Sequence, residues 1–221
     1  MDLPDDDPEI LEHFLSYMYT GEYADGVYAR DGKPSPVALL PQKKIECYLT
    51  EIGLFIREHP HKVPTIRMDS AENDTTHENL VNWHCPKIQY SVSRQVQSLY
   101  TSIRIYIMAD KFDVGGLKLS ACQRFWVVGK ELLFVDEVHP VFDEEALKFQ
   151  THEHLLKAVS MVYDNTGPHD KAIRILVGCL LKAGLKDEHF WELMMPAMEE
   201  HRELYVLVTV LGYGPPDKKD S

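Results

Sequence analysis

Apolar residues recur at three- and four-residue intervals in eight segments of this 221-residue chain, and this period constrains the fold more than any other feature. Such spacing places the apolar side chains on one face of a helix, so each segment predicts an amphipathic helix. The predicted helices cover residues 10–19, 42–58, 93–112, 117–128, 152–163, 169–183, 187–194 and 196–211. The sequence therefore predicts a mainly α fold.

The charge is negative and unevenly distributed. The chain has a net charge of −12, and residues 1–26 contain eight acidic residues and no Lys or Arg. A net negative surface argues against direct nucleic-acid binding and against docking on an anionic membrane. We interpret the acidic groups of 1–26 as a helix cap and a solvated helix surface.

The beginning of the chain has clear helix signals. Asp7 precedes Pro8, an arrangement that favours a capped helix start, and Gly21 is placed to end the same helix in a left-handed conformation.

No apolar run approaches the ~20 residues of a membrane span. The four cysteines are far apart and show no CxxC spacing, which predicts reduced thiols and a cytoplasmic or nuclear protein.

The sequence lacks the common catalytic signatures. There is no GxxxxGK[ST] loop, no GxSxG elbow and no HExxH helix, and Gly115-Gly116 lies between two predicted helices. Cys122 falls on an apolar helix face, which predicts a buried thiol of low reactivity. We expect a protein that is not an enzyme and has no cofactor.

Two alternatives stay open. Histidines and one cysteine are concentrated in residues 59–90, so a small structural metal-binding protein is one alternative. An unrecognised enzyme is the other, and it requires a deep pocket with convergent titratable groups among the C-terminal helices.

Two segments resemble the second half of a BTB/POZ domain. Residues 3–23 are similar to the acidic loop and helix that end in Tyr-Thr-Gly in that family, and 105–117 are similar to its Ala-Asp-Lys-Tyr segment, with Phe112 where Tyr is commoner. The motif positions are Tyr19, Thr20, Gly21, Ala109, Asp110, Lys111, Phe112 and Leu117. Residues 162–177 also resemble the helical extension of BTB proteins abundant in fungi.

The resemblance implies a domain organisation. Residues 1–128 would form a partial α+β BTB/POZ domain that lacks its N-terminal strands, with a long insertion at 24–94. Residues 129–211 would form a helical C-terminal extension, and 212–221 a flexible tail. A truncated domain would leave the apolar faces of helices 10–19 and 95–110 partly uncovered.

The resemblance also implies a function. BTB/POZ domains are non-enzymatic protein–protein interaction modules that dimerise or act as adaptors, in cullin-type ubiquitin ligases or in transcription-regulator assemblies. The expected partners are a second copy, another BTB protein or a cullin scaffold. Contacts would fall at Phe14, Tyr17 and Tyr19, whereas the motif positions are expected to have structural roles.

Overall fold

The computed structural model describes residues 7–25, 35–58, 91–133, 144–185 and 187–210. Within these ranges the chain forms eight α-helices and one 3₁₀ turn, and it contains no strand. The elements are α1 Pro8–Thr20, the 3₁₀ turn Pro36–Leu39, α2 Gln42–Glu58, α3 Val92–Lys111, α4 Gly115–Leu133, α5 Glu144–Asn165, α6 Lys171–Gly184, α7 Glu188–Glu200 and α8 Arg202–Val210. The mainly α prediction is confirmed.

Helix α1 begins and ends as its sequence predicts. The Asp7 carboxylate accepts a hydrogen bond from the Glu9 backbone N–H at 3.0 Å, and Pro8 is the first residue of the helix. Gly21 has a φ of 73°, and its N–H donates to the Tyr17 carbonyl at 2.7 Å. A left-handed conformation costs glycine little, because it has no Cβ to clash.

The antiparallel pair α3 and α4 forms the centre of the molecule. Leu99, Ile103 and Tyr106 of α3 are completely buried, and Phe125 and Trp126 of α4 are nearly so. Helix α1 packs on α3, and α5 packs on both helices of the pair. The expectation that helix 95–110 has an uncovered apolar face is therefore wrong, because these neighbours cover it.

The remaining helices pack around this pair. Helix α6 contacts α2 and α4, while α7 contacts α5, and α8 contacts both α6 and α7. At Gly129 the Leu180 side chain of α6 packs directly on the backbone of α4, since a Cβ there would lie 2.6 Å from a Leu180 methyl carbon. No helix in the described ranges has the length and apolar character needed to span a membrane.

The helix boundaries differ from the sequence prediction by more than two residues at three places. The expected break between 194 and 196 is wrong, since α7 continues through Pro196 and the chain breaks at His201. Residues buried on both sides of this proline, Met194 and Met198 among them, keep the segment helical because their burial outweighs the lost backbone hydrogen bond. In addition, α4 extends to Leu133, and α5 begins at Glu144 instead of 152.

Candidate functional site

Residues 3–23 and 105–117, the two segments on which the expected resemblance rests, are packed against each other. The Phe14 and Phe112 rings lie 5.1 Å apart between centroids. The Tyr17 hydroxyl lies against Gly116, where a Cβ would be only 2.6 Å away. These contacts join α1 to the α3–α4 turn, although about eighty residues separate the two segments in the sequence.

A buried ion cluster connects the loop after α1 to α3 and α4. The Arg124 guanidinium pairs with Glu22, and its Nη1 lies 3.3 Å from an Asp25 oxygen. Its central carbon lies 3.6 Å from the centre of the Tyr23 ring, and Ser98 donates to Asp25 at 2.8 Å. Burial raises the pKa of the Tyr23 hydroxyl well above its usual value. The cluster ties the loop after α1 to α4.

This cluster shows that the prediction for the acidic residues is wrong in part. It also contains a core arginine that the sequence did not lead us to expect. The acidic groups of 1–26 were expected to be solvated, but Glu22 and Asp25 are buried, because Arg124 offers both carboxylates a partner in the core. Sequence reasoning did not single out Arg124. The available signal was a single arginine within the apolar segment 119–128, since an unpaired charge is rarely buried.

The three residues expected to make contacts lie in different environments. Phe14 is half-buried, and Tyr17 is 6% exposed, with burial raising its pKa to about 12. Tyr19, in contrast, is 87% exposed. Leu15 and Met18 beside it are also exposed, so α1 has an uncovered apolar side next to its buried one. We call the side formed by Leu15, Met18 and Tyr19 the outer stripe of α1.

The motif positions other than Tyr19 make packing or hydrogen-bonding contacts, whereas the 87% exposed Tyr19 lies at the surface and the structure gives it no packing role. The Thr20 hydroxyl donates to the Ser16 carbonyl at 2.7 Å, and the Ala109 carbonyl accepts the Val114 N–H at 2.8 Å in the α3–α4 turn. Leu117 is completely buried. The other positions are Gly21 in the α1 cap, Asp110 in an ion pair with Lys118 at 2.5 Å, and Lys111 with its Nζ 5.6 Å from the Phe112 ring.

A second polar cluster links α3 and α4 to the start of α6. The Tyr106 hydroxyl donates to Asp170, whose carboxylate also lies 3.2 Å from Lys118 Nζ. Burial raises the pKa of Tyr106 and of the adjacent Cys122 thiol, which is completely buried as its apolar position predicts. A thiol kept protonated is a poor nucleophile, so this cluster provides packing and orientation.

A cleft of about 430 Å³ lies where the C-terminal helices meet. It is lined by Tyr163, Pro168, Arg174, Glu199, Glu200, His201, Arg202 and Glu203. Titratable groups do converge here, as the enzyme alternative requires. Its described lining contains no serine, threonine or cysteine, and its one hydroxyl belongs to Tyr163, whose pKa is raised above the usual value by burial.

The metal alternative falls largely outside the described residues. Within the described ranges there is no group of three or more potential metal ligands, and residues 59–90 lie outside them. His152 and His154 point to different neighbours, since one ring packs against Phe190 and the other bonds the Tyr100 hydroxyl at 2.9 Å. Burial lowers the pKa of His154. Metal analysis of the purified protein tests this alternative, and stoichiometric zinc would support it.

Comparison with known proteins identifies no relative. No protein-family model matches the chain, and neither a curated protein nor a solved structure matches it. Two exposed features of the described residues therefore carry the functional interpretation. They are the outer stripe of α1 and the cleft among the C-terminal helices.

Proposed function

We propose that this chain is a non-enzymatic protein–protein interaction module of the BTB/POZ type, acting in dimerisation or as an adaptor. The observation that carries the proposal is the outer stripe of α1. Leu15 is 44% exposed, Met18 54% and Tyr19 87%, on a helix whose other side is fixed to the core. Contiguous exposed apolar side chains on a well-packed helix are typical of a surface that a partner covers.

The composition of the stripe suits a protein contact. A tyrosine offers a large apolar ring and a hydroxyl, and such residues often contribute most of the binding energy at interfaces. Methionine is flexible and adapts to the shape of a partner. Because Phe14 and Tyr17 fix the opposite side of α1, the stripe is presented with little loss of freedom on binding.

The resemblance supplies the class of partner. BTB-like proteins bind a second copy, another BTB protein or a cullin scaffold, and each is a proposed partner for the outer stripe of α1. The net charge of −12 disfavours nucleic acid and anionic membranes as competing ligands. The proposed compartment is the cytoplasm or the nucleus.

A double substitution in the stripe tests the proposal. Met18→Gln with Tyr19→Gln removes apolar area at exposed positions, where the fold does not depend on it. Self-association is measured by sedimentation, and binding to a purified cullin scaffold or BTB protein by calorimetry. We expect association by the unaltered chain and a loss of about tenfold or more in the double variant.

A matched control separates this effect from nonspecific loss. Glu153→Gln changes an exposed residue of α5, far in sequence from α1, and should leave association unchanged. If the unaltered chain neither self-associates nor binds a cullin scaffold or BTB protein, the proposal is wrong. Equal losses in the control and in the double variant would also contradict it.

A further inference from the structure

Helix α8 has an apolar side that no neighbouring helix of the described ranges covers. Its buried residues are Leu204 and Val208, yet Val206 and Val210, away from them on the helix, are 58% and 62% exposed. A surface helix ordinarily carries polar residues opposite its buried side. Two valines at these positions therefore indicate a side of the helix that is suited to a partner.

This apolar side adjoins the cleft among the C-terminal helices. Glu203 precedes Val206 and Val210 by three and seven positions, so the three side chains lie on the same side of α8. Glu203 lines the cleft of about 430 Å³ together with Glu199 and Glu200. We call the surface formed by these five residues the α8 surface.

The buried arginine of the cleft is already fully engaged. Arg174 Nε donates to the Thr166 hydroxyl at 3.0 Å, Nη2 contacts the Thr166 and Tyr163 carbonyls, and Nη1 pairs with Glu203. The side chain is only 10% exposed. Its positive charge is therefore neutralised inside the cleft and is not available to an anionic ligand.

The side chains of the cleft that remain unpaired carry a net negative charge. Glu199 and Glu200 are exposed and form no ion pair with a described residue. Arg202 is the one arginine of the cleft that forms no ion pair with a described residue, since Arg174 is paired with Glu203. Two carboxylates against one guanidinium leave the lining with one excess negative charge, which favours a cationic ligand by Coulomb attraction. The apolar valines beside them favour a ligand that is also apolar on one side.

Two neighbours hold the tyrosine of the cleft wall in place. The Arg174 guanidinium carbon lies 4.6 Å and the His201 ring 5.0 Å from the centre of the Tyr163 ring. These contacts restrict the tyrosine before a ligand enters, which lowers the cost of ordering it on binding.

We propose that the α8 surface binds a basic amphipathic segment of a protein partner. An arginine or lysine of the segment enters the cleft between Glu199 and Glu200, and its apolar residues cover Val206 and Val210. A second copy of this chain fits poorly, because a symmetric contact places the same carboxylates of both copies together, on chains with a net charge of −12. The proposal is independent of the outer stripe of α1.

The test uses a synthetic amphipathic helical peptide with arginines on one side and leucines on the other, titrated into the full chain by calorimetry. Two double variants remove the two halves of the surface, namely Glu199→Gln with Glu200→Gln and Val206→Gln with Val210→Gln. We expect each to weaken peptide binding by about five- to thirtyfold. Raising the salt concentration should weaken peptide binding to the unaltered chain more than to the Glu199→Gln, Glu200→Gln variant, because that variant lacks the two carboxylates.

Matched controls decide whether binding occurs at this surface. Glu188→Gln with Glu192→Gln removes the same charge from exposed positions of α7 outside the cleft lining, and it should leave the affinity unchanged. Met18→Gln with Tyr19→Gln should also leave it unchanged, which separates this result from the test of the proposed function. Circular dichroism confirms that each variant is folded.

Three results would overturn the proposal. The first is no measurable binding of the peptide, and the second is an equal loss in the α7 control. The third is a dimer in sedimentation that the valine substitutions dissociate, which would assign the α8 surface to a second copy of the chain.

Discussion

Two buried arginines of this molecule make the same kinds of contact, a tyrosine ring and a glutamate, but the two glutamates differ in exposure. Arg124 lies on the Tyr23 ring and pairs with Glu22, and Arg174 lies on the Tyr163 ring and pairs with Glu203. In the first cluster the glutamate side chain is 10% exposed, whereas in the second it is 61% exposed. One cluster is sealed in the core, and the other opens to the C-terminal cleft.

The difference in exposure separates a structural role from a surface role. In the sealed cluster, water cannot replace a lost partner, so each charge depends on the others. In the open cluster, water solvates the glutamate if the pair is broken. We infer that Arg124 holds the end of α1 to α4, while Arg174 shapes a cleft whose rim remains free to contact a ligand.

The largest effect is expected for Arg124→Met. This change leaves the carboxylates of Glu22 and Asp25 buried without their cation, which should destabilise the fold by about 3–5 kcal/mol. Urea unfolding followed by circular dichroism measures it. Adding Glu22→Gln and Asp25→Asn should recover part of the loss, and a stability within error of the unaltered chain would refute the sealed-cluster interpretation.

A smaller loss is expected for Arg174→Met. The Thr166 and Tyr163 carbonyls then lose a donor, but Glu203 is free to turn to solvent. We expect a destabilisation of about 1–3 kcal/mol in the same unfolding measurement. A loss as large as that of Arg124→Met would remove the distinction between the two clusters.

The smallest effect is expected for Glu203→Gln. An ion pair with an exposed partner contributes about 0–1 kcal/mol, so the unfolding midpoint should hardly change. Glu22→Gln is the matched substitution in the sealed cluster and should cost clearly more. Equal effects of the two substitutions would show that exposure does not determine the strength of these pairs.

Local signals predicted the helices well where an apolar face and a cap coincide. The Asp7 cap, the Gly21 end and the α3 segment were all readable because their causes lie within a few residues of the chain. The Asp187 cap is another such case, since its carboxylate accepts the Phe190 N–H at 3.1 Å.

Features that depend on contacts between distant residues could not be predicted from local sequence signals. The pairing of Arg124 with Glu22 joins positions 102 apart in the sequence, and no local pattern reports it. The continuation of α7 through Pro196 depends on burial against other helices, which outweighs the local preference of proline. The exposure of Tyr19 beside the buried Tyr17 likewise follows from how α1 packs on α3.

Helix α2 has a consequence for how this chain can be shortened. It lies within residues 24–94, the segment that the sequence led us to expect as an insertion. In the folded chain α2 packs on α4 and α6, and Ile45 is 5% exposed and touches the start of α4 at Gly115. Deleting α2 would uncover the surfaces of both helices, so α2 belongs in any shortened version of the chain.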